Sequence, residues 1–250
     1  MNWRLFLVLW LAGALAALPL IPVTVVLGDA GLTAHQVGWR EAAVSVLLFA
    51  MVIPPLAIYV GLRMGARLGL AAPLVEAWLA GRRIAGATRR LGTAAAAGGG
   101  LGLAGVLVTL ALAGGAALPA ALMEEIVPWW VGLAQALSAA VDEELIFRFG
   151  LMSLITWFAG RVIRSGDEGP SDFLMWVALG LSAAIFTAVH AAPAGEAAGV
   201  AALVAEPMQL VRLLAGGLFG WLFWKHGLEA AVTAHLAYNM VLFHGIVAAL

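Results

Sequence analysis

The chain has 250 residues, of which 64% are hydrophobic and 11% charged, with 13 basic and 14 acidic side chains and a mean hydropathy of +1.02. A soluble domain carries roughly 25% charged residues, so this is an integral membrane protein, and its apolar runs are too long for barrel strands of about 10 residues. No cysteine is present, which excludes disulfides, thiol catalysis and Fe–S ligation.

Apolar runs of about 20 residues predict an all-α, polytopic transmembrane helix bundle of about seven to eight spans. In chain order they cover roughly 5–27, 42–62, 94–120, 130–160, 173–192, 208–224 and 228–249. The first run opens after Arg4 and contains Ala14-Leu15-Ala16, a pattern shared with cleavable signal peptides. It continues through Val26, however, and reads as a retained first helix. Pro19, Pro22, Pro54 and Pro55 kink the first two helices.

The connection between the second and third spans holds Arg63, Arg67, Arg82, Arg83, Arg89 and Arg90 against Glu76. By the positive-inside rule it is cytoplasmic; its arginines suit anionic lipid, and no nucleic acid partner is expected. Arg4, Arg161, Arg164 and Lys225 fall on the same side, whereas Asp29, Glu124, Glu125 and Glu196 fall outside and Arg40 runs against the pattern. The N-terminus is then cytoplasmic, in what reads as a prokaryotic inner (plasma) membrane. Gly98-Gly99-Gly100-Leu101-Gly102 and the pair Gly216/Gly220 have the small-residue spacing of close helix packing, with no Lys-Ser/Thr to make a phosphate loop. The stretch 128–160 would be roughly 50 Å as one helix, which exceeds a ~30 Å hydrocarbon core. It is expected either to tilt strongly or to break near Pro128 to Ser138.

Within that stretch lies Asp142-Glu143-Glu144-Leu145-Ile146-Phe147-Arg148-Phe149. Ionisable side chains at mid-membrane are costly and mark functional sites by default. On a helix Glu144 and Arg148 stand at i and i+4 and pair, while Glu143 is rotated by ~100° and keeps its oxygens for chemistry. Two histidines lie inside predicted helices, in Phe186-Thr187-Ala188-Val189-His190 and His235-Leu236-Ala237-Tyr238-Asn239. His235 and Asn239 share a face; His226 and His244 read as interfacial. No His-Glu-x-x-His and no intramembrane aspartate pair occurs, and Gly180-Leu181-Ser182-Ala183 lacks the second glycine of a nucleophile turn.

Glu-Glu-x-x-x-Arg, then Phe-x-x-x-His, then His-x-x-x-Asn, in this order on membrane helices, resembles the CPBP family of CAAX-protease and bacteriocin-processing intramembrane endopeptidases. The resemblance covers about 143–239; residues 1–127 carry none of it. Phe149 departs from it, since many members have Gly after the Arg. The resemblance implies that Glu143 activates water as general base, supported by Glu144 and Arg148. His190 and His235 would orient that water or polarise the scissile carbonyl, and Asn239 would help form the oxyanion site. Phe186 is the candidate substrate contact. The family has been described both as metal-dependent and as glutamate-type; the metal-free form is expected here, and a zinc ion, if used, would take Glu143, His190 and His235.

The expectation is thus one integral membrane domain over 1–250 with a catalytic core at about 128–245. It would hydrolyse a peptide bond in a membrane-anchored, lipidated or signal-like peptide, with the bilayer as its other partner. A proton-coupled transporter would use the same Glu and His as a relay, but no paired halves are seen. A non-catalytic scaffold would not need complete motifs. From helix lengths, Glu143 and His190 lie roughly 25 Å from their cytoplasmic ends but His235 only ~10 Å. For the three to meet, helix ends must shift, the last helix must start before 228, or a helix must be broken.

Overall fold

The computed structural model describes residues 1–30, 36–113, 128–162, 170–191 and 207–249. Every regular element among them is helical: α1 (Trp3–Ala17), α2 (Leu20–Asp29), α3 (Trp39–Met64), a 3₁₀ turn (Gly65–Leu68), α4 (Pro73–Leu79), α5 (Ala87–Ala113), α6 (Trp129–Glu143), a π-helical segment (Glu144–Met152), α7 (Ser153–Val162), α8 (Asp172–Ala191), α9 (Pro207–His226) and α10 (Leu228–Ala249). Five runs are long and apolar enough to cross a membrane: Trp3–Asp29, Trp39–Leu68, Ala87–Val108, Trp129–Val162 and Asp172–His190. Helices α9 and α10 are long enough but carry Gln209, Arg212 and Lys225, and Glu229, His235 and Asn239. These polar side chains dilute their hydropathy.

The expected kinks are seen in part. The chain turns between α1 and α2 at Leu18-Pro19, whereas α3 continues as one helix through Pro54 and Pro55. Proline has no N–H to give the carbonyl four residues earlier, and Trp10 of α1 takes over, donating from Nε1 to the Ala50 carbonyl at 3.0 Å. The predicted 94–120 span starts earlier, at Ala87, and residues 114–120 lie outside the described ones.

The long central run does not break near Pro128 to Ser138. It is helical from Trp129 to Val162 and instead widens into the π segment at Glu144–Met152. Such insertions recur at functional sites. The loosened backbone is secured from outside: Ser182 of α8 donates to the Phe147 carbonyl at 2.7 Å.

Glycines set how closely the helices approach. A side chain at Gly98 would collide with the Ala234 carbonyl of α10, and one at Gly102 would come within 2.6 Å of the Tyr238 carbonyl, so α5 lies directly on α10. Gly216 and Gly220 press α9 against Ala183 and Leu179 of α8 in the same way. Phe149, the residue that departs from the family pattern, is buried. Its ring lies where a side chain at Gly61 would be, and edge-on to Phe223 at 6.2 Å.

The Arg-rich connection is more than a loop. Gly227, at φ 94°, turns α9 into α10, and that turn is buried against Pro73. Leu228 N–H donates to the Ala71 carbonyl at 3.0 Å, and the Glu229 carboxylate accepts from Val75 N–H at 2.8 Å. Ala72, at the N-cap of α4, provides no side-chain cap; the cap comes from α10 instead. Trp224, three residues before the turn, meets Trp176 of α8 edge-on at 5.6 Å. Helix α10 begins at Leu228, so an earlier start of the last helix does not account for the depth of His235.

Candidate active site

Three helices deliver the polar side chains to one place. Arg148 and Glu144 are fully buried, at 0% exposure, and pair at 3.0 Å. The guanidinium also donates to the Gly216 carbonyl at 3.1 Å and sits between the rings of Phe186 and Phe219, 4.6 and 5.4 Å from their centroids. An arginine so enclosed is held by charge, hydrogen bond and aromatic faces together.

Glu144 has a second partner that helix geometry alone did not reveal. Its Oε1 lies 2.8 Å from His235 Nδ1. A carboxylate can only accept, so Nδ1 carries the proton and Nε2 faces the other way. The His235 ring is stacked on Phe219 at 4.5 Å and 18°, which fixes its plane. The expected division of labour therefore holds for the Arg pair, with the addition that Glu144 also orients a histidine.

Glu143 points into a cavity, 22% exposed, with one oxygen toward each histidine: Oε1 is 3.3 Å from His190 Nε2, and Oε2 is 3.7 Å from His235 Nε2. His190, 31% exposed, has its Nδ1 2.8 Å from the Phe186 carbonyl. A carbonyl likewise only accepts, so Nδ1–H donates there and Nε2 is turned to Glu143. Both imidazoles thus present Nε2 to the same carboxylate, each oriented by an acceptor behind it.

The cavity has a volume of about 330 Å³. Glu143, His190, His235, Asn239, Arg212, Tyr238 and Gln135 give it its polar lining, with Phe186, Leu242, Phe243 and small residues of α6 completing the wall. Asn239 thus shares the cavity with His235. Phe186 is nearly buried, at 4%; its ring contacts His190 and Arg148, so it holds the machinery as well as lining the cavity. A second cavity of about 250 Å³, bounded by Leu20, Phe49, Gln135, Ser138, Ala139, Asp142 and Glu143, reaches Glu143 from the α2–α3 side.

Among the described residues, no group of three or more His, Cys, Asp or Glu side chains is arranged to hold a metal ion. Glu143 turns one carboxylate oxygen toward each of His190 and His235.

Residues 125–241 match a family described as type II CAAX prenyl endopeptidase Rce1-like. This segment is a CPBP-family CAAX-protease domain. The match runs from just before α6 to just past Asn239 and encloses every polar side chain of the site, though not Leu20, Phe49, Leu242 and Phe243 of the cavity walls. The family is one of proteases. No curated protein and no solved structure matches the chain.

Within the CAAX-protease domain, Gln135, Arg212, Tyr238 and Asp142 line the cavities and escaped sequence reasoning. Arg212 donates to the His190 carbonyl at 3.3 Å and so caps the last turn of α8; its signal was a charge inside an otherwise apolar helix. Tyr238 has a buried hydroxyl without a partner among the described residues, and its signal was its place between His235 and Asn239. Asp142 is buried, accepts from Ser138 at 3.1 Å, and leaves Oδ1 without a partner. Its signal was its position beside the two glutamates.

Proposed function

We propose that this protein is an intramembrane endopeptidase that works without a metal, with water activated by Glu143 as the nucleophile. The observation that carries the reading is the single carboxylate faced by two oriented histidine nitrogens, in a cavity that Asn239 also lines. Charge balance supports it. Glu144 and Arg148 neutralise each other, and a site of low dielectric favours neutrality in what remains. One proton shared between Glu143 and the imidazoles meets that condition, and it also supplies the hydrogen that their facing acceptor atoms require.

In the reaction, a water held between Glu143 and the Nε2 atoms gives a proton to the Glu143 carboxylate as its oxygen bonds to the scissile carbonyl carbon. The Asn239 amide donates to the developing oxyanion. The carbon–nitrogen bond then breaks, and the proton taken up by Glu143 passes to the leaving nitrogen. Glu144 and the Phe186 carbonyl keep the two imidazoles oriented throughout. The substrate is a membrane-anchored, lipidated or signal-like peptide.

The reading extends to topology. Taking α1–α2 as one kinked span and counting α9 and α10, the chain crosses the membrane about seven times, with the N-terminus cytoplasmic as the arginines of 63–90 require. The transporter reading is less well supported: on the side of Glu143 toward the arginines, Glu144 and Arg148 are fully buried and Phe149, Phe219 and Phe223 pack in the core.

The test is Glu143→Gln. Gln keeps the shape but cannot take a proton from water, and loss of a general base costs about 10²–10⁴-fold in rate. The expected result is a well-folded protein with proteolysis reduced by that amount; near wild-type turnover would remove Glu143 from the base role. Activity is also expected to survive exhaustive chelation, with no stoichiometric metal by elemental analysis. About one zinc per chain, lost together with activity in His235→Ala, would defeat the metal-free assignment.

A further inference from the structure

Among the described residues, the cavity approaches Glu143 from one end of the bundle. Its lining follows α6 from Glu143 back through Ala139, Ala136 and Gln135 to Gly132, near the start of that helix. From the other helices it takes His190 in the last turn of α8, Arg212 early in α9, and Leu242 and Phe243 late in α10. All of these lie toward the same end. Glu143 itself is about 21 Å along α6 from Trp129. Below it the way is shut by buried Glu144, Arg148, Phe219 and Phe223. The second cavity, from Gln135 to Glu143, also comes from the α6 start.

The opposite end is the basic one. There the α9–α10 turn is seated on 65–79, and a separate pocket brings Arg90, Lys225 and His226 together around Gly227. Arg63, Arg67, Arg82, Arg83 and Arg89 belong to the connection that forms this end, and Arg161 closes α7 beside it. Among the described residues the cavity end has Arg40 and Arg212 as its basic side chains, with Asp29 and Glu41 opposing them. Such an asymmetry sets membrane orientation.

From these two observations we infer that the catalytic cavity opens to the extracytoplasmic side. The accessible substrates are then peptides whose scissile bond enters from the outer half of the bilayer, in secreted or outward-facing membrane-anchored chains, and not lipidated tails presented from the cytosol. The substrate half of this inference rests on the proteolytic function proposed above; the direction of opening does not.

The chain has no cysteine, so single cysteines report without background. Gln135→Cys and Leu242→Cys place a thiol in the cavity at residues outside the catalytic set, and Arg82→Cys marks the basic end. Each variant is treated with a membrane-impermeant, positively charged methanethiosulfonate, in intact cells and in inside-out vesicles. The expected result is modification of both cavity thiols in intact cells and of Arg82→Cys only in inside-out vesicles. Cavity thiols that react only in inside-out vesicles overturn the inference. So does Arg82→Cys reacting from outside, or both cavity thiols remaining unmodified from either side in variants that elute as the folded protein. Where proteolysis is measurable, modification of Leu242→Cys in intact cells should stop it. Labelling reads the direction of opening whether or not the protein cuts peptides, so this inference and the proposed function fail separately.

Discussion

Arg148 owes its place at the bottom of the site to Glu144, and Glu144 is shared between Arg148 and His235. Removing either member of the ion pair leaves the other buried and uncompensated, at a cost of about 3–5 kcal/mol. Glu144→Ala and Arg148→Ala should therefore each lower thermal stability in detergent as well as activity. The double variant should recover part of the stability but not all, because His235 Nδ1–H still lacks its acceptor. Strictly additive losses would show that the two side chains do not pair. His190 differs in kind: it is partly exposed, and its orienting partner is a backbone carbonyl that mutation cannot delete. His190→Ala should reduce turnover while leaving the melting temperature close to that of the parent.

Two contacts between elements decide whether the site can assemble. The first is α5 on α10. With Gly98 against the Ala234 backbone and Gly102 against that of Tyr238, there is no flexible side chain to move aside. Gly98→Leu should push α10 away, a strain of about 1–3 kcal/mol or more, and displace His235 and Asn239 from Glu143. It should lower activity more than stability when turnover is compared with unfolding in detergent. Gly100→Leu, where a side chain would meet open space, is the matched control and should be neutral. The second contact is Glu229 capping α4. Glu229→Ala removes the acceptor of Val75 N–H and should cost about 1 kcal/mol. Faster proteolytic nicking of 63–90 in inside-out vesicles would report the loosened connection; unchanged nicking would argue that the cap is idle.

At the scale of the whole molecule, one body of helices is organised around a network of charges at its centre. Phe149, Phe186, Phe219 and Phe223 are buried with small residues at the centre, whereas Leu7, Leu11, Leu48, Leu107 and Val189 face outward, exposed. A helix apolar on all sides suits a membrane solvent. Orientation then rests on the arginines at one end. Replacing Arg82, Arg83 and Arg89 with Gln should produce a population of mixed orientation, read by which side protects the termini from added protease. A population that keeps a single orientation would place the determinant elsewhere.

The membrane class, the helical architecture and the residues Glu143, Glu144, Arg148, His190, His235 and Asn239 were legible in the amino-acid sequence, whereas Arg212, Tyr238 and Asp142 were not singled out. Hydropathy is a property of composition, and a charge in an apolar run stands out without coordinates. The pairing of Glu144 with Arg148 was legible too, because a four-residue spacing is local. What the sequence did not contain was anything that depends on two distant segments meeting. The bond from His235 to Glu144, the opposite oxygens of Glu143 turned to two different helices, and the cap that Glu229 supplies to α4 are all long-range contacts. Nor did any local pattern mark the π segment at Glu144–Met152, in a run expected either to tilt strongly or to break near Pro128 to Ser138. Only tertiary structure decided the end from which Glu143 is reached. Depth along one helix is readable from residue counts, but the offset between helices is set by where their glycines let the backbones meet.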